Sequence, residues 1–110
     1  MTDLVQEARE LGPSIAERSE RIEADRTLPG DVVDDLRSAG LFRFFVPAEL
    51  GGPEVDVATG MATIAEVARH DGGSAWCVMI AGTTSLLAGF LPPDHAATIY
   101  GPADSCTGGY

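Results

Sequence analysis

Residues 72–93 read GGSAWCVMIAGTTSLLAGFLPP, a run without one charged side chain. Ser74 stands where an N-cap belongs, and Pro92-Pro93 stops whatever precedes them. A helix over 74–91 would carry apolar residues all round, which predicts burial on most of its sides. The remaining chain then has to supply the elements that cover it. The run also has about the 20 residues that a bilayer crossing needs. Gly82, Thr83, Thr84, Ser85 and Gly89 lie inside it, and its flanks lack the Arg/Lys bias that sets topology. A buried central helix is therefore the preferred reading.

Working back from that run, residues 57–69 form the clearest amphipathic pattern, with Asp56 as cap. Val57, Met61, Ile64, Ala65 and Ala68 share one face. Burying Val57, Met61 and Ile64 would contribute about 1.5–3 kcal/mol each before entropy is charged. His70 falls at the end of this helix, where a cation favours the dipole. Residues 41–53 hold Phe42, Phe44, Phe45 and Val46 around Arg43. Pro47 and Gly51-Gly52-Pro53 argue against a long strand there, so the segment reads as an ordered loop whose aromatics plug the core. Before it, a helix over 32–39 buries Val32, Val33 and Leu36. Asp31 is its expected cap, and Gly40 its left-handed stop.

Residues 3–25 carry a helical pattern through Leu4, Ala8, Leu11, Ile15 and Ile22. Acid–arginine pairs such as Glu17 and Arg21 add only about 0.2–0.5 kcal/mol each. Gly12-Pro13 allows either a kinked helix or a new helix with Pro13 at its first position; the second is preferred slightly. After the central run, residues 94–100 can form one more short helix through Ala96, Ala97 and Ile99.

The whole is 110 residues with 17 acidic and 7 basic side chains, a net charge of −10 and no lysine. That excess of acid argues against nucleic acid and anionic membranes, which need a basic face. Cys77 and Cys106 have no metal-ligand spacing, and a reduced, cytoplasmic protein is expected. Glu49, Glu54, Asp56 and Glu66 show no metal pattern, and no GxGxxG, P-loop or HExxH is present. His70-Asp71 is better read as helix-end chemistry than as a dyad, because no nucleophile motif accompanies it. Trp76 reads as core before pocket. The hydroxyls of Thr83, Thr84 and Ser85 must bond back to carbonyls or face a polar cavity, and Gly82 lets a backbone or a flat ligand come close.

The stretches LPGDVVDDLRSAGLFRFFVPAELGG, IAEVARHDGGSAW and LPPDHAATIYG, in this order around the apolar run, resemble the N-terminal helical domain of the acyl-CoA dehydrogenase superfamily. The flavin-dependent monooxygenase branch is the nearer likeness. The resemblance spans roughly residues 10–110 and implies an all-α bundle of about five helices, orthogonal or up-and-down, with 74–91 central. It implies a domain over 1–105, with 106–110 opening a missing middle β domain. In such proteins the flavin, FAD or FMN, lies between the middle and C-terminal domains, and the N-terminal domain walls the substrate cavity. This stretch alone is then expected to bind no flavin and to hold no catalytic residue. Trp76, Met79, Thr83, Thr84 and Leu87 are the expected substrate-lining residues. The substrate would be an acyl-CoA or an aromatic or polyketide-like molecule, and the assembly a homo-oligomer. The monooxygenase branch often carries histidine eight residues after its AW tryptophan. Here that position is Thr84, which argues against phenol hydroxylation. The alternatives are a truncated, non-catalytic helical interaction module, or part of a two-component monooxygenase.

Overall fold

The computed structural model describes residues 3–108. Six α-helices follow one another: α1 Leu4–Glu17, α2 Ser19–Asp25, α3 Gly30–Ser38, α4 Val57–Ala68, α5 Gly72–Thr84 and α6 Pro93–Tyr100. Two 3-10 segments, Ala48–Leu50 and Ser85–Phe90, complete the order, and no strand occurs among the described residues. The all-α expectation holds, with one helix more than the sequence suggested.

The first helical pattern divides later than its proline implies. α1 runs straight through Pro13 and ends at Arg18. Leu4, Ala8 and Ile15 form one buried stripe across the proline, while Pro13 itself faces solvent. The donor that proline lacks is thus lost on the wet side, where a neighbouring carbonyl can bond to water. α1 opens with the Asp3 carboxylate accepting from the Gln6 N–H at 3.1 Å.

α3 begins two residues earlier than expected, at Gly30 after Pro29, with no side-chain cap. Asp31 lies inside the first turn and takes Arg18 at 3.1 Å, along with Arg21. Arg18 also reaches Asp35 at 2.7 Å, so one guanidinium ties the α1–α2 junction to α3. The other end of α3 follows the glycine rule. Gly40 sits at φ +79°, its N–H donates to the Arg37 carbonyl at 3.0 Å, and the Leu41 N–H donates to Leu36 at 3.1 Å. These are the two bonds of a Schellman stop.

Residues 41–53 are the ordered plug that their composition predicts. Leu41, Phe42, Phe44 and Val46 are buried, Phe44 completely. The segment is pinned by backbone bonds from Val55 to Phe44 and from Glu54 to Val46, at 3.1 and 3.0 Å. Phe44 and Phe45 meet edge to face with centroids 4.6 Å apart.

α4 packs between α1 and α5. Its buried residues are Gly60, Thr63, Glu66 and Val67, while Val57 and Met61 are 68 % and 57 % exposed. The expected burial of Val57, Met61, Ala65 and Ala68 is therefore corrected, with Ile64 only partly covered. Close approach is the reason: a Cβ on Gly60 would come within 2.8 Å of the Phe45 ring, so α4 turns Gly60 toward that ring. The Asp56 cap is as expected, accepting from the Thr59 N–H at 2.8 Å.

α5 starts two residues before Ser74. Asp71 is the cap, its carboxylate accepting from the Ser74 N–H at 2.7 Å and from the Ser19 hydroxyl at 2.9 Å. The helix tightens into the 3-10 segment at Ser85 and ends before Pro92-Pro93. The 19 residues Gly72–Phe90 are long and apolar enough to cross a membrane by length and composition. In this fold they are central but buried along one side: Ser74, Ala75, Val78, Ala81, Gly82, Ser85 and Ala88. The prediction of burial on most sides is corrected accordingly.

Candidate functional site: the outward row of α5

The inner side of α5 explains its glycine and hydroxyls. The Phe44 ring lies against Gly82, where a Cβ would sit 2.1 Å from one of its carbons. The flat group that Gly82 admits is thus the protein's own phenylalanine. Thr83 and Thr84 donate back to the Met79 and Ile80 carbonyls, each at 2.6 Å. Ser85 donates to the Gly82 carbonyl and accepts from the Phe45 N–H at 3.1 Å. These hydroxyls are satisfied locally.

The outer side carries the expected lining residues unevenly. Trp76 is 64 % exposed and Leu87 52 %. Thr83 is exposed with them, and Met79 and Thr84 are half-buried. The core reading of Trp76 is therefore corrected. Trp76 and Thr83 fall seven residues apart, so they share one side of α5, and Leu87 follows in the 3-10 segment. Thr84 does not belong to that row. Its carbonyl accepts from the Tyr100 hydroxyl of α6 at 3.3 Å, which in turn meets the Thr107 hydroxyl at 3.2 Å.

Tyr100 thereby holds the segment after α6 near α5. Between them lies a shallow depression of about 310 Å³, lined by Trp76, Cys77, Ile80, Ala81, Cys106, Thr107 and Gly108. Of these only Trp76 was expected from the sequence. Ile80 lies four residues beyond Trp76, and helical spacing would have found it. Cys106, Thr107 and Gly108 come from a turn-rich tail whose return onto α5 has no local signal. Leu86 and Phe90, 52 % and 77 % exposed, extend the apolar surface beyond the depression.

No charged side chain borders this depression. Burial pushes the Cys77 thiol above its ordinary range, and the nearby Cys106 and Asp71 add to the effect. The Cys106 thiol is raised by burial as well, against the pull of Arg37. Both sulfurs are free, Cys77 half-buried and Cys106 exposed, and the upward shifts disfavour the thiolate.

A wider cleft of about 580 Å³ opens between α2 and the start of α5, lined among others by Ser19, Arg26, Arg69, His70 and Asp71. His70 and Asp71 do not form a pair there. The His70 ring covers Gly12, with Nε2 3.7 Å from Glu66, while Asp71 turns to Ser74 and Ser19. Among the described residues no group of three or more His, Cys, Asp or Glu side chains could hold a metal.

Six helices with an aromatic plug, and a central helix whose outer side is apolar and uncovered, define a helical domain built to present one face. The pattern of the acyl-CoA dehydrogenase N-terminal domain matches residues 2–91, and the chain belongs to that family. It is 29 % identical over 72 residues to the flavin-dependent monooxygenase oxygenase subunit HsaA of Rhodococcus jostii, covering 66 % of this chain. It is 30 % identical over 76 residues to the indole-3-acetate monooxygenase of Pseudomonas putida, covering 69 % of this chain. Each match spans 19 % of the relative, so the chain corresponds to about a fifth of either protein.

Proposed function

We propose that this domain forms the substrate-side wall of the flavin site of an acyl-CoA dehydrogenase-type oxidoreductase of the monooxygenase branch. The observation that carries the reading is the exposed, uncharged surface of Trp76 and Thr83 on α5, with exposed Leu87 just beyond it, on an element whose other side is locked by Phe44. An apolar strip on a rigid element suits the ring of a neutral or aromatic substrate. The same residues do not suit a flavin's phosphates: α5 and the segment after it bring no cation to the depression. The groups holding those phosphates would lie outside this depression. The domain's part is then to position substrate and exclude water, and the flavin would supply the redox chemistry.

Trp76 is the single tryptophan, so its emission reports on this row alone. Titrating the chain with phenylacetate, an aromatic acid without the indole chromophore, and with a short acyl-CoA, with and without FAD or FMN, tests the assignment. Saturable change in Trp76 emission with the aromatic acid supports it. Unchanged emission with every ligand, in the presence of flavin as well, would refute it.

A second reading rests on the extent of the uncovered apolar surface. Val57, Met61, Trp76, Leu86, Leu87, Phe90 and Ile99 are all between 45 % and 77 % exposed. Surfaces of this kind mark interaction faces. A non-catalytic helical interaction module would show concentration-dependent self-association and no response of Trp76 to small ligands.

A further inference from the structure

One buried charge in this domain lacks an opposite charge. Arg43 is 7 % exposed, and no carboxylate pairs with it among the described residues. Its guanidinium donates to the Tyr100 carbonyl and makes a long 3.5 Å contact with the Gly51 carbonyl, while Nε is buried without a partner. Burial lowers its pKa from the ordinary value, with no neighbouring acid to oppose the effect. Arg37 faces the same cleft, of about 340 Å³. Its Nε is also buried and unpaired, and its ion pair is a 3.5 Å contact to Asp34, on the preceding turn. Glu7 lines the cleft without forming an ion pair to either arginine. In a chain of net charge −10, a buried guanidinium with no acid beside it is out of keeping with its surroundings, and Arg37, 36 % exposed, keeps only the long contact to Asp34.

We propose that the cleft between the end of α3 and the 41–53 loop binds a single carboxylate, held across Arg37 and Arg43. A planar two-oxygen anion matches the guanidinium fork. A phosphate dianion is disfavoured, because the carbonyl end of α3 and Glu7 place negative potential on the same cleft. The volume admits a small organic acid or one Asp or Glu side chain of another polypeptide. The site is independent of the α5 row, which contributes nothing to its lining.

The test is nuclear magnetic resonance of the arginine Nε–Hε groups in the intact chain. Sodium acetate, an acetyl-capped glutamate peptide and sodium phosphate are titrated separately against sodium chloride at matched ionic strength. The expected result is a saturable shift of the Arg37 and Arg43 signals with acetate, half-complete in the millimolar range, and at least several-fold weaker binding of phosphate. Peptide binding tighter than acetate identifies a polypeptide acid as the ligand; equal binding identifies a small acid. Arg37→Gln should abolish the Arg43 shift while leaving the circular dichroism unchanged, which keeps the test valid if Arg43 variants do not fold. Shifts no larger than chloride produces overturn the proposal. So does a Glu7→Gln variant that starts with the Arg signals displaced, since Glu7 would then be the occupant.

Discussion

Gly82→Ala is the substitution that most directly tests how α5 is seated. On helix propensity alone it should stabilise, because glycine in a helix interior costs about 0.8–1.0 kcal/mol relative to alanine. The structure reverses the sign. The new Cβ would lie 2.1 and 2.2 Å from two ring carbons of Phe44. That ring is fully buried and cannot swing to solvent. Gly60 lies 3.1 Å from another of its carbons by the same construction, and Phe45 stands edge-on 4.6 Å away. One extra methyl group in such a place costs up to about 3 kcal/mol. After the propensity gain the net loss is about 2 kcal/mol. For a domain of this size that lowers Tm by roughly 8–16 °C, or the urea midpoint by about 1–2 M. Far-UV circular dichroism measures both. Phe44→Leu removes the ring atoms that the Cβ meets, so in that background Gly82→Ala should be neutral or stabilising, a coupling that a double-mutant cycle isolates. Equal destabilisation in both backgrounds, or a rise in stability in the first, would refute the seating described here.

The remaining predictions concern charge and exposure. Asp71→Ala should cost about 1–2 kcal/mol through loss of the α5 cap, whereas Asp71→Asn keeps the cap and tests the charge. Burial alone would raise the Asp71 carboxyl, but the bonds from Ser74 and Ser19 outweigh it and hold the pKa below its usual range. A lowered folded pKa stabilises above the unfolded value of about 3.9 and loses that contribution as pH falls through the folded value. Chemical denaturation should therefore show wild type losing stability relative to Asp71→Asn below about pH 4. Arg18→Gln should cost about 1 kcal/mol at low salt, the upper end for such pairs, and less near 1 M salt where screening is strong; an unchanged midpoint in low salt would show the α1–α3 bridge to be idle. Trp76→Ala should move stability by no more than about 0.5 kcal/mol, against about 3–5 for a core aromatic, so a large loss by calorimetry would contradict its exposure.

Local rules of capping and turn chemistry made much of the fold legible. Asp56, Gly40 and Pro93 do what their types and positions require, and the Leu4, Ala8, Ile15, Ile22 stripe is buried as its spacing demands. Errors arose where a distant partner decides. Asp31 left its capping role because Arg18 and Arg21 approach it from the α1–α2 junction. Asp71 took the cap from Ser74, helped by Ser19 far away in sequence. Neither rearrangement has a signature within the helix that shows it. The tail at Cys106 and Thr107 is the same case: only the Tyr100 hydroxyl, bridging Thr84 and Thr107, brings it to the candidate site.

The apolar faces pose a different problem. A hydrophobic stripe states which side of a helix avoids water, and in a self-contained domain that side faces the core. α4 does the opposite. It buries Gly60, Thr63 and Val67 and leaves Val57 and Met61 outside. α5 likewise buries Ala75, Val78, Ala81 and Gly82 and shows Trp76 to solvent. Where Phe44 and Phe45 press on these helices the contact residues are Gly60 and Gly82, because the rings leave room there only for backbone, while Ala58, Ala62, Ala65 and Ala68 of α4 stay outside. The 41–53 loop thus supplies the aromatic part of the core, beside Leu4, Ile15, Val32 and Leu36 from α1 and α3, and Val57, Met61 and Trp76 are left exposed. An aromatic loop beside glycines on two helices was visible in the sequence. Those two features together, rather than the hydrophobic stripe, indicate why Gly60 and Gly82 face inward and Val57, Met61 and Trp76 do not.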